Sequence, residues 1–522
     1  FEPVAFDETV VCLVETVARE RGLTVRRMPS GAGHDAQMLA RVYSSLGVEI
    51  SFEDFFARPT IVALDAMLAG SRAATTGGAP IPVAPRDAAL PLSFQQERLW
   101  FLYELAPASR AYNCPSCFRL RGPLDAAALS RSLQELVNRH EILRTRFSSS
   151  AGSPVQHIDP QAAIALALFD LKDLAADAQE EVARQHLVTA ARRLFKLEEG
   201  PLCRATLIRL HENEHLFLLN FHHIVIDGWS LEIALREVAV LYESFSRNTP
   251  VTLPPPPIQY ADYAAWQRQH AQGPELRALL DWWRERLRDV PPLLELPADR
   301  QRPKVQSHGG GIVPFQLDAE LTAATRKLAV QHGMTLSMTL LTAFAALIHR
   351  YTHRDDIVIG IPSANRHRLE LEGVLGFFVN TLPMRIDVSG DPTCTELLSR
   401  VRVTSVESFA HDELPFDQLV HELRHERNPG YNPVVQIGFA PQPPAERDLW
   451  LADVQAESVA VDACKTILDL SMYLWEEAAS VTAHFEYSTD LFDEGTVRRM
   501  VSHFLLLLTA MTAAPQQRAG RP

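Results

Sequence analysis

The sequence predicts an α/β protein built from more than one folding unit, and three observations carry that reading. Residues 216–221 form an apolar run broken only by Asn220, which reads as a buried strand leading to the turn signal Asp227-Gly228. Residues 205–210 form a second strand-like run just ahead of it. The chain of 522 residues is long enough for two or three units, and stretches rich in Pro and Gly divide it.

In chain order, residues 1–70 carry helical patterning and form a small first unit. Residues 71–89, beginning Ser-Arg-Ala-Ala-Thr-Thr-Gly-Gly-Ala-Pro, read as a linker of small residues. Residues 90–260 and 261–512 are the two halves of the large unit, parted near the break Leu253-Pro254-Pro255-Pro256-Pro257. Residues 513–522 are expected to be a short, polar, disordered tail. No repeat stands out at solenoid periods.

Composition narrows the function classes. The chain is 47% hydrophobic and 22% charged, which suits a globular protein with a sizeable core. A formal net charge of -14 argues against a nucleic-acid partner, which would need a basic face. No apolar run reaches membrane length and no cleavable signal opens the chain, so a soluble cytoplasmic enzyme is expected. The 6 cysteines are scattered, which disfavours a disulfide framework.

Chemistry concentrates in His222-His223-Ile224-Val225-Ile226-Asp227-Gly228. Neighbouring side chains on a strand point to opposite faces, so the two histidines cannot share one role. One can face a reaction space while the other packs behind it. Asp227 lies past the turn, where it can brace the loop or pair with a cation. Other motifs carry less. His211-Glu212-Asn213-Glu214-His215 matches a zinc-protease pattern, but that chemistry needs a helix, and here the segment joins two strand-like runs. It reads as a hairpin loop. Cys114-Pro115-Ser116-Cys117 reads as structural, with no second pair for zinc. Gly309-Gly310-Gly311 reads as a turn, since no Lys-Ser/Thr follows to make a phosphate loop.

His-His-x-x-x-Asp-Gly followed by Trp229-Ser230 resembles the active-site motif of condensation domains of nonribosomal peptide synthetases, within the chloramphenicol acetyltransferase-like superfamily. Further stations resemble that family in order, from Pro91 to about Leu508. They are Ser93-Phe94-Gln95-Gln96-Glu97-Arg98-Leu99-Trp100, Arg139-His140-Glu141-Ile142-Leu143-Arg144-Thr145-Arg146-Phe147 and, after the His motif, Tyr260-Ala261-Asp262-Tyr263. Ile359 to Arg366, Gly376-Phe377-Phe378-Val379-Asn380 and His411 to Asp417 follow. The segment Asn432-Pro433-Val434-Val435-Gln436 departs from the family's usual entry to its seventh station.

The resemblance implies two chloramphenicol-acetyltransferase-like α/β sandwich lobes in a V-shaped pseudo-dimer with a central tunnel. It implies an acyltransferase that passes a carrier-bound peptidyl or acyl thioester to the amine of a carrier-bound aminoacyl acceptor. His223 takes the catalytic place and His222 packs behind it. The resemblance points to Arg366 as the partner of Asp227, with Arg300 as a fallback. Gly228 lets the backbone approach the tunnel, Trp229 packs nearby, and Ser230 and Asn380 are tunnel candidates. Phosphopantetheine comes on the arms of an upstream donor carrier and a downstream acceptor carrier, beside an adenylation domain. No metal, nucleic acid or membrane is expected.

Alternatives on the same fold are an epimerisation domain and a catalytically silent recruitment platform. The intact His223, Asp227 and Gly228 argue against the latter. Residues 37–61 resemble the second half of a peptidyl carrier domain. Its attachment serine would fall at Ala32, and Ser30 nearby stands in a Pro-Ser-Gly context unlike the carrier motif. Residues 29–37 instead resemble a segment of N-carbamoyl amino acid amidohydrolases, whose other metal-ligand motifs are missing. The first unit is thus read as a divergent carrier or a fusion remnant, with no working attachment serine.

Overall fold

The computed structural model describes residues 80–518, apart from 151, 271–272, 424–427, 443–448, 450, 462–464 and 478. The expected first unit at 1–70, including Ser30, and residues 71–79 of the linker lie outside the described residues.

The first half contains β1 (Leu90–Pro91), α1 (Phe94–Leu105), β2 (Asn113–Arg121), α2 (Ala126–Arg139), β3 (Thr145–Ser150) and β4 (Ser153–Ile158). It continues through β5 (Leu166–Asp170), α3 (Ala176–Arg192), β6 (Cys203–His211), β7 (Glu214–His222) and α4 (Gly228–Ser246). The expected hairpin is present. β6 and β7 pair antiparallel through a connection at residues 212–213, so His211 and His215 do not share a helix face. Cys114 and Cys117 lie on β2 and are free thiols. β5 pairs parallel to β6, which requires a crossover, and α3 supplies it.

The second half holds α5 (Tyr260–His270), α6 (Pro274–Arg286), β8 (Gly310–Leu317), α7 (Ala319–Gln331), α8 (Leu336–Thr352), β9 (Asp356–Ser363) and β10 (Asn380–Asp387). Then come α9 (Cys394–Phe409), α10 (Phe416–Glu422), β11 (Ile437–Gln442), β12 (Gln455–Val459), β13 (Leu470–Glu476), β14 (Val481–Ser488) and α11 (Glu494–Ala513). Six strands form one mixed sheet in the order β10-β9-β11-β13-β14-β8. α8 reads as almost continuously apolar because it is buried against that sheet, with Leu340, Ala343, Phe344 and Leu347 at 0–1% exposure. Each half is therefore a sheet with helices packed on it, and the molecule is a pair of α/β sandwich lobes. No single helix among the described residues is long and apolar enough to cross a membrane.

Packing does not divide at residues 260 and 261. That point lies in the first turn of α5, and Tyr260, Tyr263 and Ala264 belong to the first lobe's core together with Phe377, Phe378 and Leu451. β12 goes further and pairs with β2, giving the first lobe's sheet the order β12-β2-β7-β6-β5. A chain that returns from the second lobe to extend the first lobe's sheet ties the two together. Linear cuts miss such a return.

Two more local expectations need correction. Gly310 and Gly311 open β8 rather than forming a turn. A Cβ at Gly310 would lie 2.3 Å from the Lys465 backbone, and one at Gly311 would lie 2.4 Å from the Tyr487 ring. Close approach, not turning, requires glycine there. The described part of the tail, through Arg518, packs on the protein. The Cys394 amide donates to the Gln517 carbonyl at 2.8 Å and the Thr395 amide to the Pro515 carbonyl at 3.0 Å, so residues 515–517 cover the start of α9.

Candidate active site

β7 delivers the histidine pair to the junction of the lobes. The His222 amide donates to Leu202 and the His223 amide to the Tyr112 carbonyl at 2.8 Å, after which a short 3-10 turn (His223–Val225) breaks the strand. The two rings then meet different surroundings. His222 is buried, edge-on to Phe195 with ring centroids 6.1 Å apart, and its Nδ1 accepts from the Ile224 amide at 3.1 Å. An imidazole that accepts at Nδ1 carries its proton on Nε2. His223 does the opposite. Its Nδ1 lies 2.6 Å from the Ile226 carbonyl, an acceptor only, so Nδ1 bears the proton and Nε2 keeps its lone pair. The His223 ring is half-buried and packs edge-on to Phe377 at 4.8 Å.

Burial governs the charge of both rings. It pushes His222 down to about 3, and it also lowers His223, with the Lys465 ammonium adding to the effect. Both are neutral at physiological pH. For His222 the folded value lies below the unfolded value of 6.5, so its contribution to stability is present above 6.5 and is lost as pH falls toward 3. Wild type should therefore lose stability between neutral and mildly acid pH more steeply than His222→Gln, although the variant is less stable at pH 7. Urea midpoints across that range check this. Parallel slopes would remove the ring from the acid response.

Asp227 and Arg366 form the buried pair that the resemblance implies. Their side chains are 3% and 0% exposed, with Nη2 to Oδ1 at 3.4 Å. Neither depends on the other alone. Asp227 caps α4, its Oδ1 accepting from the Ser230 amide at 2.7 Å, and its Oδ2 accepts from the Phe378 amide at 2.9 Å. Arg366 donates to the carbonyls of Leu371 and Val374 and to Ser230 Oγ, with its guanidinium 3.9 Å from the Phe378 ring centroid. Burial works against the arginine's charge and Asp227 supports it. Arg300, the fallback partner, instead pairs with Asp493.

The remaining expected residues fall into two groups. A Cβ at Gly228 would meet nothing within 4 Å and its φ is not positive, so no protein contact demands glycine; the position faces open space. Trp229 packs nearby and donates its indole N–H to the Glu372 carbonyl at 3.0 Å. Ser230 and Asn380 do not line a tunnel. Ser230 Oγ is buried, donating to the Gly376 carbonyl and accepting from Arg366 and the Gly376 amide. Asn380 uses its whole amide internally, donating to the carbonyls of Asp412 and Leu414 and accepting from the Phe416 amide. A buried polar side chain with every bond made inside the protein is a brace.

Other residues complete the site. Gln96 donates to the Ile224 carbonyl at 3.3 Å, which ties the opening signature to the histidine turn. The Tyr260 hydroxyl donates to the Phe377 carbonyl at 2.5 Å and takes the Ser93 hydroxyl at 2.8 Å. Its ring requires Gly376, where a Cβ would lie 1.8 Å away. Lys465 carries no sequence signal at all. Its ammonium donates to the carbonyls of Ala111 and Asn113, on either side of the carbonyl that holds the His223 amide.

A family model described as a condensation domain matches residues 87–522. The chain belongs to the condensation-domain family. One of the linear gramicidin synthase proteins of Brevibacillus parabrevis is 43% identical over 485 residues, which is 92% of this chain and 6% of that protein. Malpinin synthetase of Mortierella alpina is 40% identical over 491 residues, 93% of this chain and 6% of that protein. The chain thus spans a small part of the synthetases it resembles. Among solved structures, the X-domain from teicoplanin biosynthesis is 27% identical with a TM-score of 0.77, covering 84% of this chain and 98% of its own.

Proposed function

We propose that this condensation domain forms a peptide bond between two carrier-bound substrates, with His223 as the residue that receives the attacking amine. One observation carries the reading: the Ile226 carbonyl fixes the His223 proton on Nδ1, which leaves Nε2 as an acceptor at the junction of the lobes. A thioester is already activated, so the protein has to supply orientation, a neutral amine and stabilisation of the tetrahedral intermediate. An α-amino group with a reference pKa of about 8 is mostly protonated at neutral pH. A neutral imidazole can hold it by hydrogen bond once it is deprotonated. The amine nitrogen attacks the thioester carbonyl carbon and the C–S bond breaks. Nε2 takes the proton lost from nitrogen and returns it to the departing thiolate.

The donor and acceptor thioesters would arrive on phosphopantetheine arms of an upstream and a downstream carrier domain, with an adenylation domain loading the acceptor. This fits the far longer synthetases to which the chain is similar. The test is intact-mass analysis of the downstream carrier after mixing this chain with both loaded carriers. Gain of the donor acyl mass supports the reading. Unchanged masses on both carriers count against it.

A second reading, the silent recruitment platform, has one observation in its favour. The X-domain of teicoplanin biosynthesis, 27% identical with a TM-score of 0.77, has also been solved in complex with OxyB. The same mass measurement separates the two readings. As for residues 1–70, Ala32 stands where a carrier serine belongs, so incubation with a promiscuous pantetheinyl transferase should leave the chain's mass unchanged. A mass gain localised to Ser30 would make this segment a working carrier.

A further inference from the structure

The second lobe's sheet carries its hydrophobic core on one face, where Val313, Phe485 and Met472 align across β8, β14 and β13. Alternate residues point the other way. Across the middle of that other face runs the row Ala440, Tyr473, His484, Pro314, with Trp475 and Glu486 one step to either side. The Tyr473 and His484 rings lie 5.1 Å apart and the Trp475 and His484 rings 5.3 Å apart, which makes a continuous aromatic surface. All three are half-buried. Among the described residues, no hydrogen bond engages the Tyr473 hydroxyl, the Trp475 indole N–H or the His484 ring. Burial holds His484 at about 4, so it is neutral near pH 7 and offers one donor and one acceptor.

This face lies beside the histidine motif. Lys465 bridges to Gly309 at the start of β8 and sends its ammonium to the carbonyls of Ala111 and Asn113, around the residue that holds the His223 amide. The same ammonium is close enough to act on the Glu486 carboxyl and on both histidine rings. The Tyr473 side chain in turn lies near Cys114 on β2, next to the residue that pairs with His222. A half-buried aromatic surface with uncommitted donors and acceptors, next to a reactive base, has the makings of a binding pocket for a planar polar group.

We propose that Tyr473, Trp475 and His484 form the pocket that selects the side chain of the aminoacyl group presented at His223, favouring an aromatic ring with a hydrogen-bonding group, a phenol or an indole. The inference rests on the reading of His223 as the reacting site. It is tested by calorimetric titration of the whole chain with stable tyrosyl- and leucyl-pantetheine amides. Wild type should bind the tyrosyl probe about tenfold more tightly, since stacking and one hydrogen bond are at stake. That ratio should fall toward one in both Tyr473→Phe and His484→Leu. Equal affinities in wild type, no measurable binding of either probe, or a ratio unchanged in both variants would overturn the pocket. Turnover of loaded carriers, measured alongside, keeps the two claims apart: a tyrosyl preference without peptide formation sinks the role of His223 and leaves the pocket standing.

Discussion

His223→Ala loses most peptide-bond formation while the protein stays folded and still docks its carriers. The expected loss is about 10²–10⁴-fold in single turnover if the ring works as a general base, and less if it only orients an amine that is already nucleophilic. The fold should tolerate the change because the ring is half-buried and, among the described residues, makes one hydrogen bond, to the Ile226 carbonyl. The motif's position is held instead by backbone bonds from Tyr112 and Leu202 and by Gln96. Carrier docking, followed by the change in tryptophan emission or by titration calorimetry, provides the control. Equal turnover by wild type and His223→Ala would remove the catalytic assignment.

Asp227→Ala, by contrast, should damage folding as much as activity. It strands the Arg366 guanidinium in the core, and breaking a buried pair costs about 3–5 kcal/mol. It also removes the cap of α4 and the acceptor for the Phe378 amide, which ties a second-lobe segment to the first lobe's core. Arg366→Ala should fall in the same range, because it leaves Asp227 charged and releases the carbonyls of Leu371 and Val374. The double variant should lose less than the sum of the two, since the second change removes the charge the first one strands. Urea denaturation of the three variants checks this. Unchanged stability in Asp227→Ala would show that the pair is not structural.

How much of this is legible in the sequence depends on where the information sits. The histidine pair can be read because alternation along a strand follows from backbone geometry and needs no tertiary contact. The direction of each proton cannot, since it depends on which partner Nδ1 meets: the Ile224 amide for His222 and the Ile226 carbonyl for His223. The Asp227–Arg366 pair joins positions 139 residues apart and comes only from resemblance. Ser230 and Asn380 mislead for one shared reason. A polar residue in a motif invites a substrate-facing role, yet both spend their hydrogen bonds inside the protein, on backbone and, for Ser230, also on Arg366, partners that are invisible in one dimension. Lys465 gives no sign, because a lone lysine among small residues is ordinary until the chain's return path sets it beside Tyr112. The same return explains β12, whose pairing with β2 no local pattern could announce.

The pH dependence of single turnover with both carriers loaded, run in wild type and His223→Ala, tests the central claim most directly. His223 sits below its ordinary value of 6.5, so wild type should keep its neutral base through the physiological range, and the histidine's own limb should add to the amine's slope only at lower pH. A second rise toward alkaline pH, from deprotonation of the acceptor amine, should appear in both proteins. The account predicts that the acid limb is present in wild type and missing from the residual rate of His223→Ala. An identical acid limb in both would contradict it.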